Sequence, residues 1–260
     1  MVDGLQGVPN VVPVWEYGET FEAYALAMPR AQKSLRDVLE PGQRLPLADA
    51  LRVLEDVLEA LEALQDKVVH RDIKPENVLL LDGKWCLTDF GIARCAAATT
   101  AAHTLKYYVS EPYAAPEQWR GERATSATDI YALGVMSYEL LAGKWPFQGP
   151  DFRDQHLTAD PPRLDGAPAA LAGLVTECLF KAPDARPTAA NLLRRIRSIQ
   201  QPSSAAIQKL QQANALAAEE AARTMTRAEA ERLRRERREE LFRAAQGSFE
   251  VLKKIGRAHV

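Results

Sequence analysis

Hydrophobic and polar positions divide the chain into a sheet-forming start, a long helical body and a charged tail. Residues 11–28, VVPVWEYGETFEAYALAM, carry β-branched and aromatic residues at the density of a hairpin, with Gly18-Glu19-Thr20 as its turn. Leu35 to Glu40 reads as a short helix, and Pro46 stands where a first-turn proline opens a longer one. In that helix Leu47, Leu51, Leu54, Leu58 and Leu61 recur at helical spacing, which predicts one core-packed face. Further helices are predicted over Ala127–Ala142, ended by Gly143, over Pro168–Phe180 and over Thr188–Gln200.

The pattern changes after Gln201-Pro202-Ser203-Ser204, whose turn residues mark a boundary. Residues 205–245 are dominated by Ala, Glu and Arg, with eight Arg against seven Glu between 219 and 243. Glu219/Arg223, Glu231/Arg235 and Glu239/Arg243 are spaced one helical turn apart in the favourable order. A solvated helix with a thin apolar stripe is predicted, suited to linking or to self-association through residues 205–245. The final Ile255-Gly-Arg-Ala-His-Val260 resembles the translation of a sequencing-adapter oligonucleotide and is set aside from fold reasoning. The reading frame is accordingly expected to have run off the end of an assembled fragment.

Composition narrows the classes. A chain of 260 residues, 47% hydrophobic, is long enough for a sizeable core. The 33 basic and 35 acidic residues leave a net charge of -2, which gives no whole-surface attraction to nucleic acid or anionic lipid. In the tail, interleaved Glu removes the positive field that phosphate contacts need, so no nucleic-acid partner is expected. Cys86, Cys95 and Cys178 are widely spaced without a CxxC pair, which indicates neither a disulfide framework nor a structural zinc site and fits a reducing, cytoplasmic setting. The longest apolar run, Ile130 to Ala142, is broken by Glu139, so no membrane segment is predicted in this fragment.

The chemistry is concentrated in a few words. Val69-His70-Arg71-Asp72-Ile73-Lys74-Pro75-Glu76-Asn77-Val78-Leu79-Leu80 is followed in turn by Thr88-Asp89-Phe90-Gly91, Ala115-Pro116-Glu117, Asp129-Ile-Tyr-Ala-Leu-Gly134 and Asp184-Ala-Arg186-Pro-Thr. In this order and at these separations the motifs resemble a eukaryotic-type Ser/Thr protein kinase of the kind also common in bacteria, over residues 9–200. The resemblance implies an α+β, protein-kinase-like fold: a mostly α C-lobe, a partial N-lobe sheet, and here a C-terminal extended helix. It also implies ATP and Mg²⁺ as cofactors and protein Ser/Thr hydroxyls as acceptors.

Site residues follow from the same resemblance. Asp72 is expected to take the acceptor's proton and Lys74 to stand beside the transferring phosphate; Asn77 and Asp89 would offer hard oxygen ligands to Mg²⁺. Leu79 would lie under the adenine ring, a role compatible with plain strand core, and the backbone of Met28 to Arg30 would form the adenine-binding hinge. Asp129, Glu117 and Arg186 are expected to be structural, and His70 and Phe90 to be packing residues. Thr99, Thr100 and Thr104 are candidate phosphosites in the segment 92–114, with Arg71 placed to pair with a loop phosphate. Ser110 departs from the family's usual threonine.

The chain holds no G-x-G, and its only lysines before Asp72 are Lys33 and Lys67, neither on a strand of the V-A-x-K type. Pro9-Asn10-Val11-Val12-Pro13 resembles the segment after the family's regulatory helix. The expected organisation is a remnant of N-lobe and hinge over 1–34, a C-lobe over 35–200, a charged helical linker over 201–254 and the adapter translation over 255–260. Made alone, such a polypeptide is expected to be unstable and to transfer little or no phosphate. The alternative function is a pseudokinase-type binding or scaffold module.

Overall fold

The computed structural model describes residue 5 and residues 7–19, 24–65, 67–90 and 110–200, together with 232, 235 and 239. The chain divides into two units, Met1–Gln201 and Pro202–Val260.

In the first unit, strands β1 (Glu16–Glu19) and β2 (Tyr24–Ala27) form an antiparallel pair in which Gly18 faces Ala25. Gly18 and Glu19 are therefore strand residues and not the turn that the sequence predicted; the connection spans 20–23, outside the described residues. A second, three-stranded antiparallel sheet has the order β3–β4–β5, from Lys33–Ser34, Val78–Leu81 and Lys84–Leu87. Asp82 and Gly83 turn β4 into β5 with φ of 48° and 79°, the left-handed geometry that an Asp-Gly hairpin favours. Asn10 to Val12 lies beside β5, where the Val12 N–H donates to the Leu87 carbonyl at 2.9 Å and the Leu87 N–H to the Asn10 carbonyl at 2.8 Å.

The predicted helix over 35–40 is a single 3-10 turn, Arg36–Val38. Helix α1 runs Leu47–Leu64 with Pro46 as its N-cap, one position earlier than a first-turn proline. Leu51, Leu54, Leu58 and Leu61 are buried as expected, but Leu47 is 40% exposed, because it sits in the first turn ahead of the packed stretch that begins at Ala50. The buried surface is wider than one leucine stripe: Val53, Val57, Ala60 and Asp56 are covered too, since α1 packs against β5 and two other helices.

The remaining helices are α2 (Pro116–Arg120), α3 (Ser126–Ala142), α4 (Phe152–Thr158), α5 (Ala169–Cys178) and α6 (Ala189–Gln200). α3, buried from Thr128 through Leu141, is the central helix, and α1, α5 and the Glu111–Tyr113 turn pack on it. Such all-round burial accounts for its nearly continuous apolar sequence. It ends at Gly143, whose φ of 72° lets the chain reverse beside the backbone of Gly42 and Gln43. One contiguous apolar cluster extends from Val11 through α1, β5 and α3 to Ile196 on α6. The first unit is thus α+β, with small sheets on a helical body, as the resemblance implied.

In the second unit the described residues 232, 235 and 239 are helical, and Arg235 pairs with Glu239 at 3.5 Å. Each pair predicted in the tail has a member outside the described residues, as does most of the 205–245 segment expected to self-associate. No helix among the described residues is long and apolar enough to cross a membrane. Cys86 and Cys178 are buried and unpaired; Cys95 lies outside the described residues.

Candidate active site

The site forms where the loop after α1 meets the end of β5. The backbone of this loop is fastened by a side chain. Asp129, in the first turn of α3, accepts the His70 N–H at 2.8 Å on Oδ2 and the Arg71 N–H at 2.7 Å on Oδ1. This clamp holds Arg71 at φ 71°, a left-handed conformation that a long side chain adopts only under constraint. Burial pushes the Asp129 carboxyl up to about 7 against the pull of these two N–H groups.

His70 is fully buried, and burial holds its pKa below the ordinary value, keeping the ring neutral. The Asp72 N–H donates to Nδ1 at 3.3 Å, which puts the ring proton on Nε2, 2.8 Å from the Thr88 carbonyl. The ring also packs on Phe90, with centroids 4.6 Å apart. The imidazole therefore bolts the loop to the exit of β5, the packing role expected of both residues.

Asp72, Lys74 and Asn77 converge. Asn77 is buried in the Pro75–Asn77 turn and donates Nδ2 to the Asp72 carbonyl at 2.8 Å and to Asp72 Oδ2 at 3.0 Å. Lys74 Nζ is 2.9 Å from Asp72 Oδ2 and donates to Ser110 Oγ at 2.8 Å. Ser110 Oγ in turn donates to Asp72 Oδ1 at 2.7 Å. Burial alone would raise the Asp72 carboxyl, but the bonds from Lys74, Ser110 and Asn77 hold it below the usual carboxylate range. Asp72 is thus an oriented anion with both oxygens engaged. Both contacts of Ser110 are made through its hydroxyl, a group that threonine shares.

Asp89 is exposed and left-handed, with φ 60°. Its predecessor Thr88 donates its N–H to the Asn77 carbonyl at 3.0 Å, which ties Asp89 to the Asn77 turn through the backbone. The Thr88 hydroxyl lies 3.9 Å from Met28 Sδ, so the segment after β2 reaches the same corner. Leu79 sits on β4, partly buried, opposite Cys86 and Ser34. Gly91, Thr99, Thr100 and Thr104 lie outside the described residues.

Two further anchors surround the site. Glu117 and Arg186 form a buried fork at 2.7 and 2.9 Å, and Gln118 Nε2 donates to the Arg71 carbonyl at 2.9 Å. Sequence reasoning missed a third: Arg36 contacts Glu76, Glu139 and the Tyr113 hydroxyl at 2.7, 2.8 and 2.6 Å. No local pattern signals it, because Arg36 and Glu139 are 103 residues apart.

The protein kinase domain family matches residues 1–196. The chain is 40% identical over 205 residues to the serine/threonine-protein kinase PkaA of Streptomyces coelicolor, covering 74% of this chain and 37% of that protein. It is 35% identical over 185 residues to the serine/threonine-protein kinase PrkC of Bacillus subtilis, covering 67% and 28%. With the serine/threonine-protein kinase pkn2 of Myxococcus xanthus it shares 36% identity over 203 residues, covering 71% and 24%. The chain therefore spans between 24% and 37% of the length of these three relatives. With the family match over most of its length and the motif residues meeting in one corner of an α+β fold, the chain belongs to the protein kinase domain family.

Proposed function

We propose that this chain carries the acceptor and metal-nucleotide side of a Ser/Thr protein kinase, which moves the γ-phosphoryl group of ATP to a Ser or Thr hydroxyl of a protein. The observation that supports it most is Asp72: a half-buried carboxylate kept ionised and aimed by Asn77, Lys74 and Ser110. A group held this way can accept the hydrogen bond of an incoming alcohol, orient its oxygen for in-line attack and take its proton as the bond to phosphorus forms. Lys74 brings a positive charge to the same corner, where charge builds on the phosphoryl oxygens.

The donor set suits magnesium. Nδ2 of Asn77 is committed to Asp72, which leaves its amide oxygen as the atom an ion would take, and Asp89 is an exposed residue at the strand end tied to Asn77. Hard oxygens of this kind, few in number, fit an ion that takes its other ligands from phosphates and water. Asn77 and Asp89 would hold the ion, and the chemistry it would supply there is positive charge against the ATP phosphates. Met28 and Leu79 would border the adenine, and the setting would be the cytoplasm.

The competing reading is a pseudokinase-type binding or scaffold module. One comparison separates them. Expressed from the longest reading frame that contains this sequence, the protein is expected to phosphorylate itself or an added protein with Mg·ATP, and Asp72→Asn to lower the rate by about 10²–10⁴-fold. Equal signal from both proteins would remove Asp72 from its role and leave the scaffold reading. The 260-residue chain by itself is expected to transfer little phosphate, since it brings no glycine-rich cover to the nucleotide.

A further inference from the structure

Asp72 is held by both carboxylate oxygens, and the two holds lead to one distant residue. Oδ1 accepts from the Ser110 hydroxyl, and the Ser110 carbonyl accepts the Tyr113 N–H at 2.9 Å. The Tyr113 hydroxyl accepts from Arg36 at 2.6 Å and from the Trp145 indole at 3.0 Å, and donates to Glu139 at 2.5 Å. Oδ2 accepts from Asn77, whose neighbour Glu76 takes Arg36 Nε at 2.7 Å. Contacts therefore close a ring through Arg36, Tyr113, Ser110, Asp72, Asn77 and Glu76.

Arg36 is itself well placed to close it. It opens a 3-10 turn directly after Leu35, which is fully buried and donates its N–H to the Val78 carbonyl at 2.7 Å. Its fork divides among three partners, with Glu139 on α3 as the third at 2.8 Å. Burial alone would lower the guanidinium's pKa, but Glu139 and Glu76 hold it well above the ordinary value, so the charge is permanent. The arm to Glu76 is half exposed, and a pair of that kind contributes only about 0–1 kcal/mol of stability. Stability gives little reason for that arm, whereas orientation does. A lysine is a single point charge and cannot span the three partners at once.

We propose that Arg36 is a positioning residue for phosphoryl transfer, holding the Ser110 and Asn77 sides of the site from behind so that the Asp72 carboxylate keeps one orientation toward the acceptor hydroxyl. The proposal rests on the role assigned to Asp72 above. It makes the strand side of the nucleotide cleft and the acceptor loop one mechanical unit, joined by a guanidinium that touches neither substrate.

The test uses protein expressed from the longest reading frame containing this sequence, with ATP and a protein acceptor, for wild type, Asp72→Asn, Arg36→Met, Arg36→Lys, Tyr113→Phe and the Arg36→Met/Tyr113→Phe pair. Arg36→Met is expected to lower kcat about 10- to 100-fold while KM for ATP stays within about twofold. Arg36→Lys is expected to fall between Arg36→Met and wild type, because it restores charge without the fork. The double variant is expected to lose less than the product of the single losses, since both cuts open the same ring. A merely structural arginine would lower the melting temperature and the folded yield and leave kcat per folded molecule unchanged. Wild-type kcat in Arg36→Met, or losses that multiply in the double variant, would overturn the proposal. If Arg36→Met does not fold, Arg36→Lys and Tyr113→Phe decide, and wild-type kcat in both overturns it. Equal transfer by wild type and Asp72→Asn strikes the role of Asp72 instead, whatever Arg36 does.

Discussion

Replacing Arg186 with methionine keeps much of the side chain's length and removes its charge from the interior of the helical body. The Arg186 side chain is 0% exposed and bonds Glu117 at 2.7 and 2.9 Å and the carbonyls of Ala127, Phe180 and Lys181 at 2.8, 2.8 and 3.1 Å. Methionine leaves the Glu117 carboxylate buried with the Thr128 hydroxyl as its remaining side-chain donor. A buried charge stripped of its partner costs about 3–5 kcal/mol. At a slope of about 2 kcal/mol per molar urea, that moves the unfolding midpoint down by about 2 M. The assay is urea unfolding of protein expressed from the longest reading frame that contains this sequence, followed by tryptophan fluorescence. Arg186→Met/Glu117→Leu removes both charges and is expected to return to within about 1–2 kcal/mol of wild type, the remainder being the Thr128 hydroxyl without its acceptor and the carbonyls of Ala127, Phe180 and Lys181 without the guanidinium. A single-variant loss under about 1 kcal/mol, or a double variant no better than the single, would refute the reasoning. The pair also sets a pH limit. Burial alone would raise the Glu117 carboxyl, yet the Arg186 fork keeps it below its ordinary 4.5. Its contribution is therefore complete above pH 4.5 and disappears as pH falls through the depressed folded-state value.

Two further outcomes follow from packing and burial. On α3, a Cβ at Gly134 would stand 2.6 Å from the Cys178 Cβ on α5, so Gly134→Ala must spread the two helices. A loss of about 1–3 kcal/mol is expected in thermal unfolding, despite alanine's better helix propensity. Gly173→Ala on α5 meets nothing within 4 Å and is expected to gain about 0.5–1 kcal/mol; a gain at both positions would show that the helices do not approach this closely. Asp129 supplies a slope of the opposite sign to Glu117. Because burial raises its folded pKa to about 7 from 3.8, its contribution is fully present below pH 3.8 and is lost as pH rises through about 7. Stability measured between pH 5 and 7 should fall with rising pH from this group and level off above about 7, and a wild-type slope retained in Asp129→Asn would assign it to another group.

The helical body was legible because its signals are local. Pro46, Gly143 and Pro168 mark helix ends by backbone chemistry, and the boundaries at Ala142 and Gln200 agree with the structure. The hairpin turn was misplaced because Gly18 looked like a turn residue; it is a strand glycine opposite Ala25. Asp82-Gly83 between two apolar runs is the stronger turn signal; it joins β4, of which the sequence reading touched only Leu79, to β5, which it did not predict. The short helices α2 and α4 were not predicted either, each having too few turns to show a period. At the site, Asp72, Lys74 and Asn77 fell out of one continuous word, and the structure brings them together. Arg36, Tyr113 and Glu139 meet only through the tertiary fold, so nothing near any of them in sequence announces the contact.

What unites the readable residues is the backbone they sustain. Arg71 and Asp89, at φ 71° and 60°, occupy a region that costs a non-glycine residue about 1–3 kcal/mol and persists only when surroundings impose it. The imposing groups are buried and polar: Asp129 fixes the peptide N–H groups of His70 and Arg71, while His70 and Asn77 take the carbonyl and N–H of Thr88, one residue before Asp89. Each of these anchors would be costly in an apolar core without its partners. The helical body meets that cost by placing Asp129 at the start of α3, where its first turn faces the loop. Stability and chemistry are therefore not separable here. The anchors that keep the site's backbone strained are also buried groups whose loss would unsatisfy the core, so Asp129→Asn should perturb transfer and unfolding together, and Arg36→Met, which leaves the buried Glu139 carboxylate without its cation, should lower stability as well as kcat.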